Sequence, residues 1–147
     1  MKFIVPFFFL VLFNINTTTS NNVEWLTDIS EAKHIAKKEN KNILMYFTGS
    51  DWCSPCKMLK EDLFDSDRFA KLSENYVLVK VDIPRRIDII TPEQLKKNRK
   101  MLGEYNEEKV FPKMVFLNHR GKKMDEVSGY NSLRDPSNYF EIIEKYK

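Results

Sequence analysis

The hydrophobic pattern along the chain predicts strands that alternate with helical segments. The run 42–47 is apolar and aromatic, and 76–83 alternates apolar with polar residues, so both segments are typical of strands. Two further strand patterns, at 113–118 and 122–128, are separated by a turn that contains a glycine. These last two segments therefore predict a β-hairpin.

Helical spacing of apolar residues predicts helices between the strands. Asp28 is a capping residue before the pattern at 29–38. Thr91 caps another helix, and Gly103 is the residue at which we expect that helix to stop. Both predicted starts rest on a side-chain oxygen that can accept a free backbone N–H of the first turn.

Two more helices complete the predicted order. One begins near Cys53 and is expected to break around 65–67, and the last one starts at 135–136. Residues 21–27 have the pattern of a weak first strand. The predicted order is then strand (weak), helix, strand, helix, strand, helix, strand, strand, helix, which indicates an α/β domain.

The N-terminus has the pattern of a secretory signal peptide. Lys2 precedes an apolar run at 3–13, and small polar residues follow it. The run is short of the roughly 20 residues that span a bilayer. We therefore expect a signal peptide at 1–20, and export to the periplasm or the extracellular space. A buried N-terminal strand or a retained membrane anchor are the alternatives.

Length and charge limit the remaining possibilities. A chain of 147 residues leaves room for one main domain, here 21–147. Its formal net charge of +3 does not indicate binding to nucleic acid. One local basic cluster favours a solvated helix face, with a docking patch for a partner as the alternative. Its members are Lys96, Lys97, Arg99 and Lys100.

The two cysteines of the chain, Cys53 and Cys56, lie two residues apart between a predicted strand and a predicted helix. A disulfide that closes so short a loop adds little stability, because the entropic gain grows with loop length. A helix N-terminus also stabilises a thiolate, which is the reactive form of cysteine. The pattern favours a redox-active dithiol, with a purely structural bridge as the alternative.

The chain resembles the thioredoxin-fold oxidoreductases in three places. These are the motif Trp52-Cys53-Ser54-Pro55-Cys56-Lys57, the segment Val110-Phe111-Pro112, and the closing hairpin with Gly129. Within that superfamily it is similar to small secreted or periplasmic proteins of the thiol:disulfide interchange type. The resemblance implies a thioredoxin fold for 21–147, with a central mixed sheet of four to five strands flanked by helices.

The resemblance also implies a role for each site residue. Cys53 is expected to attack and Cys56 to resolve, with Cys53 reachable from solvent and Cys56 beneath it. Pro112 is expected to be cis and to face the dithiol.

The remaining expectations concern the surroundings of the dithiol. Trp52, Phe111 and Pro112 are expected to bind substrate, Phe111 through its backbone, and Trp52 is also expected to shield one side of the disulfide. The strand before the motif carries no carboxylate for proton transfer, so Lys57 and Glu61 are the candidates, with Lys57 preferred. A plain solvated pair of these two residues is the alternative. Lys113 departs from the family pattern, and as a cation near the site we expect it to affect which peptides dock.

The function that this resemblance implies is thiol–disulfide exchange with cysteine-containing protein substrates, in the direction of reduction. We expect a monomer without a cofactor, re-reduced by a membrane electron-donor protein. A non-catalytic binding or chaperone module with the same fold is the alternative. His34 and His119 are predicted to lie far from the cysteines, so we expect no metal site.

Overall fold

The computed structural model describes residues 23–147. The predicted signal peptide, residues 1–20, lies outside the described residues. Within residues 23–147, no helix is long and apolar enough to cross a lipid bilayer.

The described residues form four strands and five α-helices. The strands are β1 (Asn42–Thr48), β2 (Tyr76–Asp82), β3 (Lys113–Leu117) and β4 (Lys123–Ser128). The helices are α1 (Ile29–Glu39), α2 (Ser54–Leu59), α3 (Asp67–Ser73), α4 (Pro92–Tyr105) and α5 (Ser137–Lys145). A π-helical segment, Lys60–Phe64, continues α2 before the chain breaks and α3 begins.

The strands form one mixed sheet in the order β2-β1-β3-β4. β1 runs parallel to β2 and antiparallel to β3, and β3 and β4 form the predicted hairpin. Thr48 at the end of β1 therefore lies beside Asp82, and Phe47 lies opposite Lys113. This register brings the segment after β1, the segment after β2 and the start of β3 to the same end of the sheet.

The sheet separates two layers of buried side chains. Met45, Phe47 and Val115 face the layer that contains α1 and α4. Leu44 and Phe116 face the layer that contains α2, α3 and α5. Neighbouring residues of a strand point to opposite faces, so the nearly continuous apolar run of β1 supplies both layers.

The predicted helix starts are confirmed by their caps. Asp28 accepts the N–H of Ser30 at 2.8 Å, and the Thr91 hydroxyl accepts the N–H of Gln94 at 3.1 Å. At the predicted break, the hydroxyl of Ser66 caps α3. Each bond satisfies an N–H that has no partner within its helix.

One predicted helix end and one predicted strand are wrong. Gly103 does not end α4, which continues to Tyr105 because the glycine adopts an ordinary helical conformation there. The weak first strand is reduced to a single bridge between Leu26 and Val79. The sheet of the described residues therefore has four strands, the lower end of the predicted range.

Candidate active site

The dithiol lies at the start of α2, at the end of the sheet where β1 finishes. Cys53 is the N-cap residue, and its N–H donates to the carbonyl of Gly49 at 2.8 Å. Cys53 and Cys56 form a disulfide with a Cα–Cα distance of 5.2 Å. The N–H of Cys56 donates to Cys53 Sγ at 3.2 Å. A sulfur that accepts a backbone N–H at a helix start is favoured as a thiolate once the bridge opens.

Both sulfur-bearing residues are nearly covered in the disulfide form. The exposed fraction is 3% for Cys53 and 2% for Cys56. The expectation that Cys53 would be clearly reachable while Cys56 lies beneath it is therefore wrong for this state. The adjacent Ser54 and Lys57 are exposed, so the bridge lies just under the surface rather than in the core.

Trp52 packs tightly against the loop that precedes the dithiol. An added Cβ on Gly49 would lie 2.2 Å from the Trp52 ring, so only glycine allows this contact. The indole N–H donates to the carbonyl of Ile83 at 2.8 Å. The Phe111 ring meets the indole edge to face, with centroids 5.4 Å apart. The structure thus places two of the predicted substrate-binding residues in contact.

Pro112 follows a cis peptide bond, as predicted. Its carbonyl accepts the N–H of Gly129 at 2.9 Å, and the carbonyl of Gly129 accepts the hydroxyl of Tyr139 at 2.6 Å. Tyr139 is fully buried on α5. The proline segment is thereby connected to the closing hairpin and to the last helix, a connection that the sequence analysis did not find.

The Lys113 side chain is buried and ion-paired, so its predicted effect on peptide docking is wrong. Its side chain is 3% exposed, and its Nζ lies 2.9 Å from Glu126 and 3.4 Å from Glu108. Lys113 lies on the same sheet face as Val115, opposite the face on which α2 packs. The ion pair compensates the cost of burying the ammonium group.

A cavity of about 440 Å³ lies beside Cys56, and Lys57 and Tyr46 also line it. The Tyr46 hydroxyl donates to the carbonyl of Cys56 at 3.4 Å. Burial raises the pKa of Tyr46 to about 12. Lys57 extends over the motif, and its Nζ donates to the carbonyl of Asp51 at 3.4 Å. The cavity therefore places polar groups beside Cys56, among them Lys57, the predicted proton-transfer residue.

Glu61 does not form the solvated pair with Lys57 that was the alternative. It pairs instead with Arg134, whose guanidinium also contacts Asp62 at 2.7 Å. The Arg134 guanidinium and then the Tyr130 hydroxyl lower the pKa of Asp62. These contacts connect the π-helical segment after α2 to the segment between β4 and α5. Sequence reasoning missed them, since the partners are 72 residues apart.

The carboxylate of Asp51 is the other site feature that the sequence analysis missed. It accepts the backbone N–H of Arg86 at 2.9 Å and that of Arg85 at 3.1 Å. Partial desolvation raises its pKa, but these N–H donors and the nearby Arg85 charge outweigh that effect and lower it. Asp51 thus attaches the segment after β2 to the dithiol loop.

The two histidines lie on separate elements. His34 is on α1, and His119 is in the turn between β3 and β4, at the end of the sheet opposite to the dithiol. Within residues 23–147 there is no cluster of three or more metal-ligating side chains.

The fold and the dithiol together define a thioredoxin-like protein. The chain belongs to the thioredoxin-like family, whose model matches residues 24–119. This match contains the whole motif from Trp52 to Lys57 and the cis-proline segment.

Several proteins similar to this chain have names that describe thiol–disulfide chemistry. The chain is 32% identical over 106 residues to the disulfide bond reductase DsbH of Chlamydia pneumoniae, a match that covers 70% of this chain and 61% of DsbH. It is 29% identical over 132 residues to the thiol:disulfide interchange protein DsbD of Campylobacter jejuni, covering 86% of this chain and 21% of DsbD. The match thus spans less than two thirds of either relative.

A solved structure is also similar to this chain. The structure of a DsbH oxidoreductase superposes with a TM-score of 0.70 at 26% identity and covers 86% of this chain and 87% of that chain. The thioredoxin fold predicted from the sequence is therefore confirmed.

Proposed function

We propose that this protein is a thiol–disulfide oxidoreductase that reduces disulfides of cysteine-containing protein substrates through Cys53 and Cys56. The observation that carries the proposal is the position of the pair at the start of α2, where the N–H of Cys56 points at Cys53 Sγ. The resemblance to a protein named a disulfide bond reductase supports the direction of exchange.

The proposed cycle has two exchanges. The Cys53 thiolate of the reduced protein attacks one sulfur of a substrate disulfide, forms a mixed disulfide, and expels the other substrate sulfur as a thiolate, which takes up a proton. The Cys56 thiolate then attacks Cys53 Sγ and expels the second substrate sulfur. Two electrons pass from the dithiol to the substrate, and the protein ends with the Cys53–Cys56 disulfide.

The surrounding residues receive roles that follow from their contacts. Trp52 and Phe111 meet at the edge of the site, and Pro112 fixes the backbone next to Phe111, so we assign these three to substrate binding. Lys57 lines the same cavity as Cys56, which supports its assignment to proton transfer at that sulfur. An ammonium group close to a thiol favours its ionised form.

Repeated reduction requires an electron source, because each turnover leaves the dithiol oxidised. The hydrophobic run near the N-terminus supports export of the domain 21–147 to the periplasm or the extracellular space. Outside the cytosol the glutathione and thioredoxin systems do not keep thiols reduced. We therefore assign re-reduction to a dithiol protein in the membrane.

A trapping experiment tests the activity. The Cys56→Ser variant is expected to accumulate mixed disulfides with a disulfide-containing protein such as insulin, because the resolving sulfur is absent. The Cys53→Ser variant is the matched control and is expected to accumulate none. Equal trapping by both variants, or no insulin reduction by the wild type, contradicts the proposal and favours a binding or chaperone module.

Equilibration with glutathione buffers tests the direction. A reductant is expected to keep its disulfide until the buffer is strongly reducing, with a midpoint near that of thioredoxin, about −270 mV. A midpoint close to that of strong oxidants, about −120 mV, contradicts the direction while leaving the exchange reaction intact.

A further inference from the structure

The segment between β2 and α4, residues 84–90, lies at the same end of the sheet as the dithiol. β2 runs parallel to β1, so the segments that follow the two strands both begin at that end. The N–H of Ile83 donates to the carbonyl of Thr48 at 2.8 Å, which continues the pairing of the two strands by one residue. The segment therefore starts beside the loop that carries Trp52.

Contacts to the motif fix the start of this segment. The Asp51 carboxylate accepts the N–H groups of Arg85 and Arg86, and the Trp52 indole donates to the carbonyl of Ile83. Bonds to a charged acceptor are stronger than neutral ones. Asp51 and Trp52, which directly precede Cys53, therefore position the backbone from Ile83 to Arg86.

The side chains of the segment present a cation and an apolar group to solvent. The Arg85 guanidinium lies 4.7 Å from the centre of the Trp52 ring, and Arg85 is exposed. Ile87 is 90% exposed, an unusual position for a large apolar side chain, and Ile89 is 38% exposed. Arg86 pairs with Asp88 within the segment, which reduces its availability to a partner.

The arrangement suits a carboxylate. An arginine stacked on an aromatic ring has a restricted orientation, and its planar N–H groups match the two oxygens of a carboxylate. Both oxygens of Asp51, an acidic group whose charge interacts with that of Arg85, accept backbone N–H groups. The side-chain N–H groups of Arg85 are consequently not used by Asp51 and stay available to an incoming carboxylate, next to the Trp52 ring.

We infer that residues 84–90 are a substrate-selecting surface, at which Arg85 and Ile87 bind an acidic and apolar stretch beside the target cysteine of a protein substrate. The inference rests on the proposed function and adds a substrate class to it. Complementary charge near a reaction site raises the rate of encounter and disfavours partners of the wrong sign.

Peptide disulfides of matched sequence test the inference. The probes are three peptides, each with one cysteine in a mixed disulfide with 2-mercaptoethanol, that differ only in two flanking residues: two Glu, two Gln or two Lys. The reduced protein is expected to react with the Glu peptide about tenfold faster than with the Lys peptide at low salt, because Arg85 attracts the first peptide and repels the second. About 0.5 M salt is expected to bring this ratio close to one.

Variants of the segment locate the effect. Arg85→Gln is expected to lower the Glu-to-Lys rate ratio from about ten to about two, and Arg85→Lys to retain an intermediate ratio because the charge remains without the planar stack. Arg120→Gln removes an exposed arginine from the turn at the opposite end of the sheet and is expected to leave the ratio unchanged. Ile87→Ser is expected to slow all three peptides alike.

The outcomes distinguish the inference from the function on which it rests. Equal rates of wild type with all three peptides, or equal ratios for Arg85→Gln and Arg120→Gln, overturn the selecting surface and leave the oxidoreductase assignment intact. If the wild type reacts with none of the peptides, including the uncharged Gln peptide, the proposed function itself fails.

Discussion

Lys113 Nζ lies 2.9 Å from the carboxylate of Glu126, on the sheet face opposite to the one on which α2 packs. The lysine side chain is 3% exposed and the glutamate side chain 35% exposed. The strand that follows the cis proline therefore carries a buried cation whose partner lies on the next strand. Removal of one partner from such a pair leaves a buried charge without compensation.

Glu126→Gln is therefore expected to lower the free energy of unfolding by about 1–2 kcal/mol at neutral pH. This is below the full cost of breaking a buried pair, because Glu126 reaches solvent and Glu108 still lies 3.4 Å from the lysine. Urea unfolding measures the effect. Glu108→Gln is the matched control, and since its side chain is 73% exposed we expect a loss below about 0.5 kcal/mol.

The cost of Glu126→Gln is expected to depend on pH. Burial raises the pKa of Glu126, but Lys123 and Lys113 outweigh this and lower it below 4.5. A carboxylate with a lowered folded-state pKa contributes stability above its unfolded pKa and loses it as the pH falls through the folded pKa. The difference between wild type and variant is therefore complete at pH 7 and shrinks below 4.5. A constant difference from pH 7 to about pH 3 contradicts the ion pair.

Glycine at position 49 is expected to be required for the position of Trp52. An alanine Cβ would lie 2.2 Å from the indole ring, so Gly49→Ala must displace the ring and break its bond to Ile83. We expect a loss of about 1–3 kcal/mol in the free energy of unfolding, together with slower reduction of insulin.

Gly103→Ala is the matched control for the glycine prediction. An added Cβ there has no neighbour within 4 Å, and the position lies inside α4. Alanine is the better helix former, so we expect a gain of about 0.5–1 kcal/mol. A Gly49→Ala protein as stable and as active as the wild type would show that the indole is not confined by the loop.

The bond from Tyr139 to Gly129 is expected to stabilise the proline segment. Tyr139→Phe leaves the carbonyl of Gly129 without its donor, at a cost of about 1–2 kcal/mol. Because the N–H of Gly129 donates to Pro112, its hydrogen exchange is expected to accelerate in this variant. Tyr146→Phe removes a hydroxyl that contacts Asp125 and is expected to leave the exchange of Gly129 unchanged. Equal exchange in both variants contradicts the connection.

The elements of the fold could be predicted because the signals that define them are local. Asp28 and Thr91 cap their helices through bonds that span two or three residues, and the apolar run of β1 needs no knowledge of its partners. The position of Cys53 and Cys56 between a strand and a helix could be predicted for the same reason.

The missed features depend on contacts between distant segments. Asp51 accepts N–H groups 34 and 35 residues further along, from a segment whose sequence showed no regular pattern. Which face of the sheet Lys113 occupies follows from strand register, and a shift by one residue would reverse it. The cover over Cys53 likewise depends on which distant parts of the chain pack around the motif, which no local pattern specifies.

Lys57→Gln is expected to slow the second exchange of the proposed cycle rather than the first. Lys57 lines the cavity beside Cys56, and loss of a group that assists proton transfer at that sulfur lowers its rate by at least about tenfold. Single-turnover reactions quenched with acid are expected to show the mixed disulfide on Cys53 accumulating in the variant. The defect should shrink at alkaline pH, where Cys56 ionises unaided. Lys60→Gln is the control, because Lys60 lines the same cavity but pairs with Asp65 at 2.7 Å. Equal accumulation in the two variants removes Lys57 from the mechanism.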